Sequence, residues 1–330
     1  MLNPPLPLLL LSFGLSFLLL AILLNSGRAK YLAMDEPNQR SLHRIAVPRV
    51  GGIAIVIAVL GTWSQLAEMS RLLLVLTAAL AGISYIDDRR GLSVSARLAA
   101  HVAAAGVMVI FGFSDGSVWR TAALIGSLVW MINAYNFMDG ADGLAGGMAI
   151  FGFTAYGVAS SLAHSELLSA MSFILAAATA GFLIFNFPPA KVFMGDAGSI
   201  SLGFLAAVLG MTGWKLGTWP PWFPALVFSP FLVDASLTLL RRILRGERFW
   251  QAHRDHYYQR LIRMGWSHRR TALAEYAVMA GVAASALAAL RCDALGQTLI
   301  LAGWALAFAG MMLAVDIRWR RFAISGEMRP

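Results

Sequence analysis

Long apolar runs alternate with short polar interruptions along most of this chain. The runs fall at 4–25, 50–67, 71–86, 95–112, 120–137, 143–162, 167–185, 198–213, 223–240, 272–290 and 297–316. A helix needs about 20 apolar residues to cross a bilayer, so the pattern predicts an all-α, polytopic transmembrane helical bundle of about eleven spans. No interruption is long enough for a separate folded unit, and 1–330 reads as one integral-membrane domain. The first run lacks a charged lead-in, and Asn25-Ser26-Gly27 before Arg28 makes a poor cleavage site, so it is read as a helix rather than a signal peptide.

Composition agrees with the pattern. Hydrophobic residues make up 58% of the chain and charged ones only 13%, more apolar sequence than a soluble domain of this length uses for its core. The charge is strongly basic, with a pI near 10.3. If the loops alternate sides, one face holds 22 of the 26 lysines and arginines, and the other keeps only Arg71, Arg120, Lys215 and Arg291. The positive-inside rule makes the first face cytoplasmic, with the N-terminus outside and the C-terminus inside. Spread over short loops without a basic aromatic domain, this charge suits topology and anionic lipid rather than nucleic acid, and no nucleic-acid partner is expected. Cys292, the single cysteine, excludes an intramolecular disulfide and a thiolate metal site. Trp214, Trp219 and Trp222 around Pro220-Pro221 read as an interfacial aromatic belt.

Four polar clusters stand out against the apolar background, and all four fall on the predicted cytoplasmic face. Asp87-Asp88 closes one run. On a helix the two point about 100° apart, so one can face a ligand while the other braces it. Asn133 and Asn136, then Asp139 and Asp142, repeat a three-residue spacing that would place them on one helical stripe. The stretch from Asn186 to Ser199 breaks the chain between two runs. In it Gly195 and Gly198 allow close backbone approach, Asp196 offers a hard oxygen ligand, and Ser199 opens a helix whose amides would favour phosphate. His253 and His256 lie among Arg245, Arg248, Arg254, Arg260 and Arg263, a composition suited to diphosphate oxygens. Carboxylates without thiolates argue for Mg²⁺, or Mn²⁺, over zinc. Together the clusters point to transfer of a phosphate-linked group onto a lipid. An ion-coupled transporter would keep its carboxylates near the bilayer midplane, whereas these sit at helix ends. A membrane-bound, metal-dependent phosphatase would use much the same groups and transfer to water.

The strings themselves go further. Asn-x-x-Asn-Phe-Met-Asp-Gly-x-Asp-Gly-Leu at 133–144 and Val-Phe-Met-Gly-Asp-Ala-Gly-Ser at 192–199 closely resemble the polyprenyl-phosphate N-acetylhexosamine-1-phosphate transferases. Ser41-Leu42-His43, Pro48-Arg49-Val50-Gly51-Gly52, Asp87-Asp88, and Pro230 to Asp234 followed by Arg241-Arg242 match in the same order, so the likeness covers most of 35–270. The resemblance implies a cytoplasmic Mg²⁺ site with Asp196, and Asp87 beside it, as metal ligands. It implies Asp87, Asp88, Asp139, Asp142, His253 and His256 as catalytic residues. Asn133, Asn136, Asn186, Phe193, Lys191, Arg254, Ser41 and His43 are the implied substrate contacts, with Phe193 and Asn186 by the uracil. The implied partners are a UDP-sugar, undecaprenyl phosphate and membrane lipid, with a homodimer left open, and the implied setting is the bacterial inner membrane. Many such proteins carry three histidines where this chain reads His256-Tyr257-Tyr258-Gln259 after His253. The pattern His-Arg-x-His-x-Tyr-Gln-Arg-Leu at 253–261 is similar to the subgroup handling 6-deoxy-N-acetylhexosamines. The implied pathway is the first membrane step of a cell-surface polysaccharide such as O-antigen.

Overall fold

The structure, a computed structural model, describes residues 6–36, 46–248 and 253–324. Among them the chain is helical apart from one two-stranded ribbon, β1 (Met34–Asp35) with β2 (Val47–Pro48). Every predicted run contains a helix: α1 (Leu6–Asn25), α3 (Gly51–Trp63), α4 (Arg71–Arg90), α5 (Val94–Gly112), α6 (Val118–Phe137), α7 (Leu144–Leu162), α8 (Glu166–Asn186), α9 (Asp196–Lys215), the pair α10 (Trp222–Val227) and α11 (Ser229–Leu244), α13 (His268–Ala289) and α14 (Ala294–Ile324). Two short helices, α2 (Ala29–Leu32) and α12 (Tyr257–Arg263), lie in the polar interruptions.

Seven of these helices, α1, α5, α7, α8, α9, α13 and α14, are long and apolar enough to cross a membrane. The other runs differ for local reasons. α3 has only 13 residues, and α4 ends in two aspartates and two arginines. The run 223–240 is broken at Phe228, between Pro224 and Pro230, because proline removes a helical N–H and crowds the preceding turn. Ser70, Ser93, Ser117 and Ser267 cap α4, α5, α6 and α13 by accepting a backbone N–H in the first turn.

The bundle is built around α9, which packs against α3, α4 and α6, while α8 joins α1 to α7. Glycines permit the closest crossings: a Cβ on Gly198 would lie 2.6 Å from the Cα of Gly52 on α3, a separation that only hydrogen side chains tolerate. Trp219 does not join an interfacial belt. It is 3% exposed, donates from its indole to the Gly210 carbonyl at 3.0 Å and stacks on Tyr156. The loop containing it folds back over the bundle, where the ring fills core volume and its N–H finds a partner. Cys292 is exposed between α13 and α14.

Candidate active site

The C-terminal ends of α4, α6 and α8 meet the N-terminal ends of α7, α9 and α13 at one end of the bundle, which is where the polar clusters converge. The joining is done largely by backbone. The loop after α8 runs beside the segment before α3: Phe193 donates to the Pro48 carbonyl at 2.8 Å, and Gly51 and Gly52 donate to the Phe193 and Met194 carbonyls at 3.0 and 2.8 Å. Asn186, 5% exposed, ties this loop to the turn after α6. Its Oδ1 accepts from the Gly143 N–H and its Nδ2 donates to the Val192 carbonyl, both at 2.9 Å. Gly143 and Gly195 stand at φ +77° and +72°, a region where a side chain would strain the turns.

Asp88 lies over the start of α9. Its carboxylate accepts from the backbone N–H groups of Asp196 and Ala197 at 3.3 and 3.4 Å and faces Arg49 at 3.6 Å. α9 therefore begins at Asp196, not at Ser199, and its first amides are satisfied by Asp88 rather than open to a phosphate. Ser199, inside the first turn, donates to Asn136 Oδ1 at 2.7 Å. Asp87 turns the other way, as the 100° step requires. One oxygen accepts from the Leu92 N–H. The other is buried without a hydrogen bond and stands 3.4 Å from Arg97. The same guanidinium nitrogen is 3.8 Å from Asp196 Oδ2, so Asp87 and Asp196 face a common cationic position.

Asp139 and Asp142 do not share a helical stripe, because α6 ends at Phe137 and 138–143 is a turn. The Asp139 carboxylate has no hydrogen bond or ion pair among the described residues, although the residue's backbone N–H donates to the Asn136 carbonyl at 3.2 Å. Burial first, and then the neighbouring Asp196 carboxylate, push it well above the usual carboxylate range. Asp142 is drawn away from that group: His268 on α13 lies 3.1 Å from its Oδ1, and its Oδ2 accepts from the Ala190 N–H at 3.0 Å. Among the described residues the Asn133 side chain bonds only back along its own helix, to the Val129 carbonyl at 2.7 Å. Phe193 is half-buried and Lys191 exposed on the same loop.

A second group adjoins the turn after α6. His256 is 4% exposed, and its Nδ1 lies 3.0 Å from Asp234 Oδ1. Asp234 also accepts from Thr238 Oγ1 and from the Tyr258 N–H. His253 stacks on His256 with ring centres 5.0 Å apart. Burial, His256 and Arg242 push His253 down to about 4, so it is neutral at pH 7 and adds no charge for a diphosphate. Arg254 lies half-buried between the two histidines in sequence. Tyr258 connects the two groups by donating to the Phe137 carbonyl at 3.1 Å. Ser41 and His43 lie outside the described residues. Arg49, Arg97, Asp234 and His268 join the site without having been singled out as site residues. Arg49 and Asp234 sit inside the quoted strings, whereas Arg97 and His268 carry no local signal.

Carboxylates gathered at one end of a helical membrane bundle, with arginines and histidines around them, define a membrane enzyme that handles phosphate-linked groups. Residues 70–213 match the family model described as glycosyl transferase family 4. The chain is 30% identical over 292 residues to the decaprenyl-phosphate N-acetylglucosaminephosphotransferase of Mycobacterium tuberculosis, covering 74% of this chain and 72% of that protein. It is 29% identical over 269 residues to the probable undecaprenyl-phosphate N-acetylglucosaminyl 1-phosphate transferase of Bacillus subtilis, covering 74% of each. It is also 29% identical over 260 residues to the undecaprenyl-phosphate alpha-N-acetylglucosaminyl 1-phosphate transferase of Escherichia coli, covering 72% of this chain and 71% of that protein. The chain belongs to glycosyl transferase family 4, among the polyprenyl-phosphate hexosamine-1-phosphate transferases that its motifs resemble.

Proposed function

We propose that the protein transfers an N-acetylhexosamine-1-phosphate from a UDP-sugar to undecaprenyl phosphate, giving undecaprenyl-diphosphate-sugar and UMP. The observation that carries this reading is the convergence of Asp87, Asp88, Asp139 and Asp196 on Arg49 and Arg97 at one end of the bundle. The names of the relatives supply the substrate class. The sugar is proposed as an N-acetylated hexosamine, of the 6-deoxy kind on the strength of the 253–261 pattern, and the product as the first lipid-linked intermediate of a cell-surface polysaccharide. The setting is the bacterial inner membrane, with eleven spans, the N-terminus outside and the site facing the cytoplasm.

The chemistry is a single displacement. An oxygen of the lipid phosphate attacks the β-phosphorus, and the bond from that phosphorus to the bridging oxygen breaks, so that UMP leaves with the bridge. A phosphate monoester with a second pKa near 6 is largely dianionic at neutral pH, so no protein base has to generate the nucleophile. Asp88, held by the first amides of α9, orders the loop beside which the donor binds. Arg49 and Arg97 balance the carboxylates and the incoming phosphates. His256, fixed through Nδ1 by Asp234, keeps a constant ring orientation at the rim, while His253 contributes polarity without charge.

Mg²⁺, or Mn²⁺ in its stead, suits Asp196 and Asp87. Both are hard oxygen donors turned toward one cationic position, and one Asp87 oxygen is buried without a hydrogen bond. Mg²⁺ is commonly held by one or two carboxylates and completed by substrate phosphates and water. When bound, such an ion neutralises diphosphate charge. The test is purified protein with undecaprenyl phosphate, Mg²⁺ and a panel of UDP-sugars, with UMP release measured. Release that depends on the lipid and on the metal is expected, and UDP-sugar hydrolysis at the same rate without lipid would make the protein a phosphatase instead.

A further inference from the structure

Away from the carboxylates, a cavity of about 250 Å³ opens between the end of α11, α12 and the end of α14, lined by Arg241, Arg245, Arg260, Asp316, Trp319 and Arg320. Four guanidiniums share it with a single carboxylate. Arg241 and Arg260 both bond to Asp316 Oδ1, at 2.7 and 3.0 Å, so that one acid is already divided between two cations. Arg245 stands only 3.7 Å from Glu247, which bonds Arg242 more closely at 2.8 Å. Arg320 has no ion pair among the described residues. Arg260 is 4% exposed, and its Nε is buried with no hydrogen-bond partner. Its other contacts are the shared Asp316 oxygen and the faces of Tyr257 and Trp319, so its positive charge is only partly balanced, and an anion in this cavity would offset it.

The surroundings say what carries the anion. α14 runs for 31 residues, well beyond the ~20 that span a bilayer, so its last turns reach the level of the headgroups. Leu313 and Ile317 lie on the same stripe as Arg320 and are 60% and 44% exposed, and Leu313 sits about 10 Å deeper along the axis. On α11 the 77% exposed Leu244 follows Arg241 by three residues, which places it on a neighbouring face of the helix. A soluble phosphate needs no apolar apron of this kind, whereas the chains of a lipid do. Trp319, beneath the guanidiniums of Arg260 and Arg263, sits where an interfacial indole is expected. None of the six lining residues makes a hydrogen bond or ion pair with Asp87, Asp88, Asp139 or Asp196 among the described residues.

We propose that this arginine-lined cavity binds the phosphate headgroup of an anionic membrane phospholipid, at a site separate from the catalytic carboxylates. Basic pockets between helices at a membrane surface suit such headgroups, and arginine forks match phosphate oxygens in pairs. The occupant would touch α12, whose first residue follows His256, so a bound lipid would also brace the segment that positions the histidines.

The test is binding, read independently of transfer. Full-length protein is stripped of lipid in neutral detergent, and phosphatidylglycerol and phosphatidylcholine are titrated in and followed by native mass spectrometry. Wild type should prefer phosphatidylglycerol. The double variant Arg245→Gln with Arg320→Gln should lose affinity for it on the order of twentyfold, from roughly fivefold per arginine, and should bind phosphatidylcholine unchanged. Arg245→Lys with Arg320→Lys should retain most of the preference. If the double glutamine variant does not fold, Arg320→Gln alone, at an exposed position, should still lose about fivefold. Unchanged phosphatidylglycerol binding in the glutamine variants would overturn the proposal, as would equal affinity for both lipids. Soluble glycerol phosphate binding as well as phosphatidylglycerol would show that the source is not a membrane lipid. Displacement of phosphatidylglycerol by undecaprenyl phosphate, one for one, would make the cavity part of the substrate site.

Discussion

Replacing Asn186 by alanine separates a loop-bracing role from a nucleotide contact, because both ends of its amide are engaged inside the protein. Oδ1 accepts from Gly143 and Nδ2 donates to Val192 at 2.9 Å each, and the residue is 5% exposed. Alanine leaves a backbone N–H and a backbone carbonyl unpaired, at about 1–3 kcal/mol apiece, or about 2–6 kcal/mol together. That is a large share of the ~5–15 kcal/mol that holds a typical domain folded. Asn133 is the control: among the described residues its amide bonds only to the Val129 carbonyl one turn back, so Asn133→Ala should change stability by no more than about 0.5 kcal/mol. Unfolding of each purified variant in a graded mixture of mild and denaturing detergent reads the difference. At low temperature, where the variant stays folded, kcat should fall with the disturbed turn while the KM for UDP-sugar rises less than kcat falls. The reasoning is refuted if Asn186→Ala unfolds with wild type and instead raises the KM for UDP-sugar tenfold.

Asp196→Asn keeps the shape but not the charge, and should lose about two or more orders of magnitude in turnover while melting normally; near-normal activity at saturating Mg²⁺ would remove Asp196 from the metal. His253, held down at about 4 against an unfolded value near 6.5, resists protonation that the unfolded chain accepts. The His253 contribution to stability should therefore be complete above about pH 6.5 and be lost as pH drops toward 4, by at most about 3 kcal/mol. His253→Gln should flatten that slope in a melting series from neutral to acid pH, and an unchanged slope would assign the loss to other groups. With the proposed orientation, an impermeant thiol reagent applied to intact cells should label Cys292 and miss a cysteine placed at Gly246; labelling of both would break the eleven-span arrangement.

Apolar periodicity was enough to find the helices, because bilayer-length runs leave few alternatives for the backbone. It misjudged the places where local chemistry cuts the period. The spacing of Asn133, Asn136, Asp139 and Asp142 continues a helical stripe on paper, but the chain turns after Phe137, and Asp139 and Asp142 part company. Phe228 interrupts a run whose two prolines bracket it. Asp88 occupies the amides that Ser199 was expected to open to phosphate, which only the packing of α4 on α9 reveals. Arg97 and His268 were invisible for the same reason: each is an ordinary surface-type residue until the fold carries it to a carboxylate. The four polar clusters, in contrast, were legible because charge is expensive beside apolar helices, and the structure brings Asp87-Asp88, the turn after α6 and the loop before α9 to one end of the bundle.

The most direct test of the account is exchange of labelled UMP into UDP-sugar with and without undecaprenyl phosphate. A lipid phosphate that is itself the nucleophile requires both substrates before any bond breaks, so no exchange is expected without lipid. Asp87→Asn and Asp88→Asn should slow turnover without abolishing UDP-sugar binding. Lipid-free exchange at a rate comparable to turnover, abolished by Asp87→Asn or Asp88→Asn, would make that aspartate a covalent nucleophile and contradict the single displacement.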